Sequence, residues 1–261
     1  MDVASSSPSI GGSGSVNRRQ LLQLAGGLGL AATVGACART QPETAGRTVV
    51  TAEAPPQPVT VAPKAGTQAE MLCRSAWGAM PPHPGGQPHT ITRMTLHHTA
   101  AVLGDNSNAP GRLRQHQRFH QGERGWIDIA YHVGIDRNGN IYELRDWHLS
   151  GDTATNYNPA GHFLVLCEGD FDQEQTSEAQ LHSAALAFAW ASQKFQVPAQ
   201  TLAGHRDFAA TACPGENLYA RLADGEIKRR VDEILSAGPV DLRTVCGPEA
   251  ALTVQRIEAG G

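Results

Sequence analysis

Between His162 and Glu168 the chain reads His-Phe-Leu-Val-Leu-Cys-Glu, an apolar run almost without a polar break. Half-exposed strands alternate, whereas a strand buried on both faces reads as a continuous apolar run. The segment therefore predicts a central strand in a sheet covered by helices. Thr92 to His98 reads as a second strand, which buries Met94 and Leu96 and ends at a histidine pair. Ile129 to Asp136 and Asn140 to Leu144 read as two more, joined by Asn138-Gly139, a strong hairpin signal.

Helical patterns fall between these strands. Pro110 to Gln121 opens on a proline suited to the first helical position and aligns Leu113, His116, Gln117 and His120 on one face. Ser177 to Phe195 begins with a capping box, Ser177 with Gln180, and keeps Leu181, Ala185, Phe188 and Phe195 at helical spacing. Val197-Pro198 ends it. A last helix, Glu226 to Leu235, buries Ile227, Val231 and Ile234. The class is α/β, with a mixed central β-sheet flanked by helices in a single domain over residues 71–237. Residues 238–261 read as a C-terminal tail.

The chemistry must be sought among eleven histidines and five cysteines. His83 and His89 sit in a Pro/Gly-rich loop and read as solvated, and His182 at a helix start reads as exposed. His116 and His120 have a spacing that can grip a metal, but no Glu or Cys accompanies them there, which favours surface or packing roles. Two other segments differ. Leu96-His97-His98-Thr99 sets two imidazoles where a strand leaves the sheet, and Gly204-His205-Arg206-Asp207 precedes Cys213-Pro214-Gly215. Ligand sites often form at strand ends. One histidine of the pair, His205 and Cys213 would supply three N/S donors of the kind zinc prefers, with a fourth position open. Alternatively, His205 packs in a turn and Cys213 joins a disulfide. The net charge of −4, with no Lys/Arg cluster, argues against a nucleic-acid partner.

Several ordered segments resemble the amidase_2 family, which includes peptidoglycan recognition proteins and phage-lysozyme-type amidases. They are Arg74-Ser75-Ala76-Trp77-Gly78-Ala79, Met94 to Ala100, Trp126 to His132, Asp136 to Glu143, Gly204 to Asp207 and Thr211 to Gly215. The resemblance covers Cys73 to about Leu222. It implies one catalytic zinc ion held by His97, His205 and Cys213, with His98 a neighbour. Strand geometry agrees, since adjacent side chains point to opposite faces. It further implies that Tyr131 sets its hydroxyl over the metal and that Thr211 stands where catalytic members carry lysine or threonine. The implied reaction is metal-assisted hydrolysis of the amide between N-acetylmuramic acid and L-alanine, on peptidoglycan or muropeptides. The alternative is a non-catalytic peptidoglycan-binding module of the same fold. Thr153 takes the place of a histidine that many amidases carry. Glu168 is a general-base candidate only if its side chain reaches the cleft.

The remaining expectations concern export. A polar leader ends in Arg18-Arg19, and the apolar run Leu21 to Ala36 follows. Residues 1–36 thus read as an export signal of the twin-arginine type, too short and glycine-rich for a membrane span. Val34-Gly35-Ala36-Cys37 resembles a bacterial lipobox with Cys37 as the lipid-bearing residue; the alternative is a Val-x-Ala cleavage site before an incidental cysteine. Residues 37–70, with Pro55-Pro56, Pro58 and Pro63, read as an extended tether. The expected protein is an exported monomer, anchored to the membrane through lipid on Cys37 and facing the cell wall or periplasm. In that setting Cys73 and Cys246, which flank the domain, are either bridged or two free thiols, and Cys167 reads as a buried core residue.

Overall fold

A computed structural model describes residues 66–261, so the export signal, Cys37 and residues 37–65 of the tether lie outside the described residues. In chain order the elements are β1 (Thr67–Leu72), β2 (Arg93–His98), α1 (Ala109–Gly122), β3 (Val133–Ile135), β4 (Ile141–Glu143), β5 (His162–Cys167), α2 (Glu178–Phe195), β6 (Leu202–Gly204), α3 (Glu216–Ala223), α4 (Glu226–Ala237), β7 (Val240–Val245) and α5 (Pro248–Glu258). The strands form one mixed sheet in the order β6-β2-β5-β3-β4-β1-β7. Only β3 and β4 pair antiparallel. Among the described residues no helix is long and apolar enough to cross a membrane.

The apolar run at 162–167 is interior as expected: β5 pairs in parallel with β2 on one side and β3 on the other, and every residue of it is buried. Its alternate side chains feed two cores. Phe163, Val165 and Cys167 join Met94, Leu96, Leu181 and Phe188, with Ile227, Val231 and Ile234 of α4. Leu166 lies on the other face with Leu113 of α1, Tyr142, and Ala250, Val254 and Ile257 of α5. Side chains as fully buried as Leu113 and Phe188 each contribute about 1.5–3 kcal/mol of transfer free energy.

Local chemistry explains where the elements depart from the sequence reading. The strand expected from Ile129 joins the sheet only at Val133, because Asp128 accepts the N–H of Ile129 and His120 accepts that of Ala130. Ser177 caps α2 by accepting from the Gln180 N–H, but the Gln180 side chain does not complete the capping box. It donates instead to the carbonyls of Ile135 and Glu168, tying α2 to the ends of β3 and β5.

The larger difference lies at the ends of the domain. Residues 67–70, read as tether, and 238–261, read as a tail, are both structured: β1 pairs with β7 along its whole length, and α5 packs beneath α1. Neither strand has a partner nearby in sequence, so the pairing was invisible to local patterning. Cys73 and Cys246 form a disulfide just past the paired strands, closing a loop of 173 residues. By the chain-entropy relation such a loop corresponds to a few kcal/mol of stability, typically about 2–5. The double variant Cys73→Ala/Cys246→Ala should lose that amount in equilibrium denaturation, and reductant should have the same effect on the parent. Unchanged unfolding midpoints in both would show the bridge to be energetically idle.

Candidate metal centre

Three chain segments meet at the end of the sheet where β2 and β6 finish. Residues 97 and 98 point to opposite faces of β2, and both are buried. His98 faces the α2 side, where it stacks on Phe171 and its Nδ1 accepts the Phe171 N–H at 3.3 Å. His97 faces the other way. Its Nδ1 lies 3.6 Å from the Cys213 sulfur, and its Nε2 has no hydrogen-bond partner. His205 follows β6 at once, starting a 3-10 turn whose Asp207 carboxylate accepts the Gly204 N–H at 2.7 Å. The imidazoles of His97 and His205 are 4.7 Å apart.

Cys213 is brought to the histidines by its own loop. The Arg206 N–H donates to the Cys213 carbonyl at 2.9 Å, and Thr211 Oγ1 accepts the Cys213 N–H at 3.2 Å. Gly215 turns the chain into α3 with φ +84, and a Cβ there would come within 2.7 Å of the Phe171 backbone and 2.9 Å of His98 Nδ1. Glycine is what allows the loop to press this closely. The His98 N–H donates to the Cys213 sulfur at 3.4 Å.

One ligand atom from each of His97, His205 and Cys213 lies within 4.8 Å of the others. For ordinary Zn–N and Zn–S bond lengths, two ligands of a tetrahedral zinc are about 3.5 Å apart, close to the observed 3.6 Å between nitrogen and sulfur. Burial, reinforced by the neighbouring His205, holds His97 well below the usual imidazole range, and burial lowers His205 to about 4. Both are thus neutral at pH 7, the form in which an imidazole can bind a metal. Burial also pushes the Cys213 thiol up to about 12, so metal binding must displace its proton. Two nitrogens and one sulfur, with no fourth protein donor in the group, fit a zinc ion with one position left open.

These residues line one wall of a cleft of about 380 Å³, which Tyr131, Thr211, Trp126, Arg124 and Thr153 also line. The Tyr131 ring is 5.1 Å from that of His97. Removal from water, and then the nearby Cys213, raise its phenol far above the usual range, so it keeps its proton and can only be a neutral donor or acceptor. Thr211 lines the cleft while its oxygen braces the backbone of the cysteine. Thr155 carries no signal in the sequence, since a hydroxyl in a polar loop is no pattern. Its Oγ1 lies 2.7 Å from His205 Nε2.

His83 and His182 are exposed, as expected, while several other histidines serve packing. His89, expected to be solvated, braces two loops: its Nε2 meets the Trp147 carbonyl and its Nδ1 accepts the Gly161 N–H. His120 packs on Trp126 and accepts the Ala130 N–H. Glu168 does not reach the cleft. It is fully buried, neither carboxyl oxygen has a hydrogen-bond partner, and the nearest ionisable contact is His116 Nε2 at 4.0 Å. Burial drives Glu168 far above the carboxylate range, with Arg112 opposing and Asp136 adding to the shift; burial also lowers His116 to about 4. His116 is therefore neutral at pH 7, burial disfavours the charged form of Glu168, and the two are too far apart for a hydrogen bond.

A carboxyl whose pKa is raised on folding favours the native state below its unfolded value of 4.5. That contribution is lost as pH rises through the folded pKa. Glu168→Gln, which ionises in neither state, should match the parent near pH 4.5 and exceed it in stability at pH 7 to 8. Denaturant melts at the two pH values test this, and a difference independent of pH would refute it.

The sequence model of the family described as N-acetylmuramoyl-L-alanine amidase (amidase_2) matches residues 87–216. Over 163 residues the chain is 36% identical to peptidoglycan-recognition protein LB of Drosophila melanogaster, covering 59% of this chain and 68% of that one. It is 31% identical over 204 residues to the N-acetylmuramoyl-L-alanine amidase of Sus scrofa, covering 67% of this chain but only 34% of the pig protein. Among solved structures, peptidoglycan recognition protein LE in complex with tracheal cytotoxin (monomeric diaminopimelic acid-type peptidoglycan) superposes with a TM-score of 0.54 at 26% identity. That match covers 59% of this chain and 92% of the other.

Proposed function

The chain belongs to the amidase_2 and peptidoglycan recognition protein family, and on that premise we propose that it is a zinc-dependent N-acetylmuramoyl-L-alanine amidase. The bond cut is the amide between N-acetylmuramic acid and L-alanine, and one zinc ion is held by His97, His205 and Cys213. The observation that carries this reading is the convergence of two neutral imidazoles and a thiol on the wall of a cleft that a protonated Tyr131 also lines. Membership alone is compatible with binding without cutting. A complete donor set beside a positioned phenol favours cutting.

Zinc bound there supplies Lewis acidity for the scissile carbonyl and lowers the pKa of a bound water towards about 7. The reaction adds the water oxygen to the lactyl carbonyl carbon and breaks the C–N bond. It leaves a carboxylate on the sugar and a free amine on L-alanine. Tyr131 donates a hydrogen bond to the carbonyl oxygen as negative charge gathers on it, the kind of preorganised contact that contributes most to such barriers. Thr211 accepts the Cys213 N–H and so keeps its own proton for a donor role toward the cleft. Being a hydroxyl, it is no general base. Glu168 is ruled out of that role by its burial away from the cleft.

The relative in complex with tracheal cytotoxin supports a peptidoglycan fragment as the ligand of this cleft. Digestion of purified peptidoglycan, with and without a zinc chelator, tests the proposal by mass spectrometry. Stem peptides with a free N-terminal L-alanine, absent when chelator is present, are expected. Binding of peptidoglycan by zinc-loaded protein without release would make it a recognition module.

A further inference from the structure

The loop from Gly151 to Tyr157 touches the metal centre through a chain of hydroxyls. Thr155 Oγ1 is 2.7 Å from His205 Nε2, Thr153 Oγ1 is 2.8 Å from Thr155 Oγ1, and the Thr155 N–H donates to Thr153 Oγ1 at 3.1 Å. Thr153 and Thr155 both line the cleft. We propose that these two threonines form a polarised relay: Thr155 positions His205 for the metal, and metal binding turns Thr153 into a hydrogen-bond donor for a substrate oxygen. The inference rests on the reading of His205 as a zinc ligand.

The direction of the relay follows from counting protons and lone pairs. With Nε2 engaged by Thr155, Nδ1 is the His205 nitrogen left for a metal. A neutral imidazole carries one proton, so a metal on Nδ1 leaves that proton on Nε2, where it donates to Thr155 Oγ1. The Thr155 hydroxyl then donates onward to Thr153 Oγ1. Thr153 already accepts the Thr155 N–H, so both of its lone pairs are taken. Its own proton is all it has left to offer. The acceptor it suits is a carbonyl, carboxylate or ether oxygen of the muropeptide. Without metal, the Nδ1–H tautomer of His205 lets the whole chain run in reverse, with Thr153 donating to Thr155 and free only to accept. Metal and substrate are thereby coupled, and coupling in binding is reciprocal.

Both ends can be measured without relying on turnover. Zinc affinity, read by competition with a chromogenic chelator on the full chain, should weaken about 10- to 100-fold in Thr155→Val, the cost typical of losing a second-shell partner. Thr155→Ser, which keeps the hydroxyl, should restore it. Melting of the metal-free variants separates this from a loss of folding. For the other end, muropeptide affinity is measured in a Tyr131→Phe background to slow cleavage. Thr153→Val should weaken binding about threefold to tenfold, the loss of one neutral hydrogen bond. It should do so in zinc-loaded protein and not in metal-free protein.

A Thr155→Val protein that folds and binds zinc like its parent overturns the proposal. So does a Thr153→Val effect that is the same with and without zinc. Tight zinc binding without any cleavage would instead overturn the amidase reading while leaving the relay standing. Zinc binding unaffected by Cys213→Ala would remove the premise of both.

Discussion

Cys213→Ala should abolish both metal retention and turnover. Dialysed against buffer, the variant should hold no zinc, and stem-peptide release should fall by more than about 100-fold, beyond the cost of losing a second-shell partner. The reason lies in the donor set. His97 and His205 are the two other donors in the group, and two neutral imidazoles cannot replace a thiolate in charge or number. The fold should survive. Removing the sulfur deprives the buried His98 N–H of its acceptor, a loss of about 1–3 kcal/mol. The metal-free variant should therefore still fold, melting below the metal-free parent by about 2–4 °C for each kcal/mol lost. Near-parental turnover in Cys213→Ala would mean that the sulfur is no ligand.

Tyr131→Phe should separate chemistry from binding. Losing one preorganised donor to a developing oxyanion costs about 10²- to 10³-fold in kcat. KM and zinc content should change little, because the ring keeps its packing against His97. A variant with parental kcat would remove the phenol from the mechanism, and one that lost zinc as well would recast it as a structural support.

Much of this centre could be read from sequence, for reasons tied to periodicity. The alternation of a strand separates His97 from His98, and the structure sends the second toward Phe171. The continuous apolar run of β5 marks the strand that sits beside them. What brings Cys213 to His205 is less legible, since it depends on a backbone contact between Arg206 and Cys213 and on the close passage of Gly215 against Phe171. The choice among histidines came from resemblance, not spacing. The strands β1 and β7 are not legible in the sequence, because each acquires its meaning only from the other, across almost the whole domain. Gln180 misleads in part because a capping partner and a bridge between strand ends use the same side chain. Glu168 reads from sequence as a polar end to a strand, and only the packing of α1 over it reveals that both its oxygens are enclosed.

On the proposed reading, one zinc ion, held by this chain's own His-His-Cys group, cuts the muramoyl–alanine amide. The most direct test is to strip the protein of metal and add zinc back in measured steps, following release of stem peptides with a free L-alanine terminus. Release should be absent at the start, rise in proportion to zinc, and level off at one ion per chain. Release by the stripped protein, or a fully zinc-loaded protein that releases nothing, would contradict that reading.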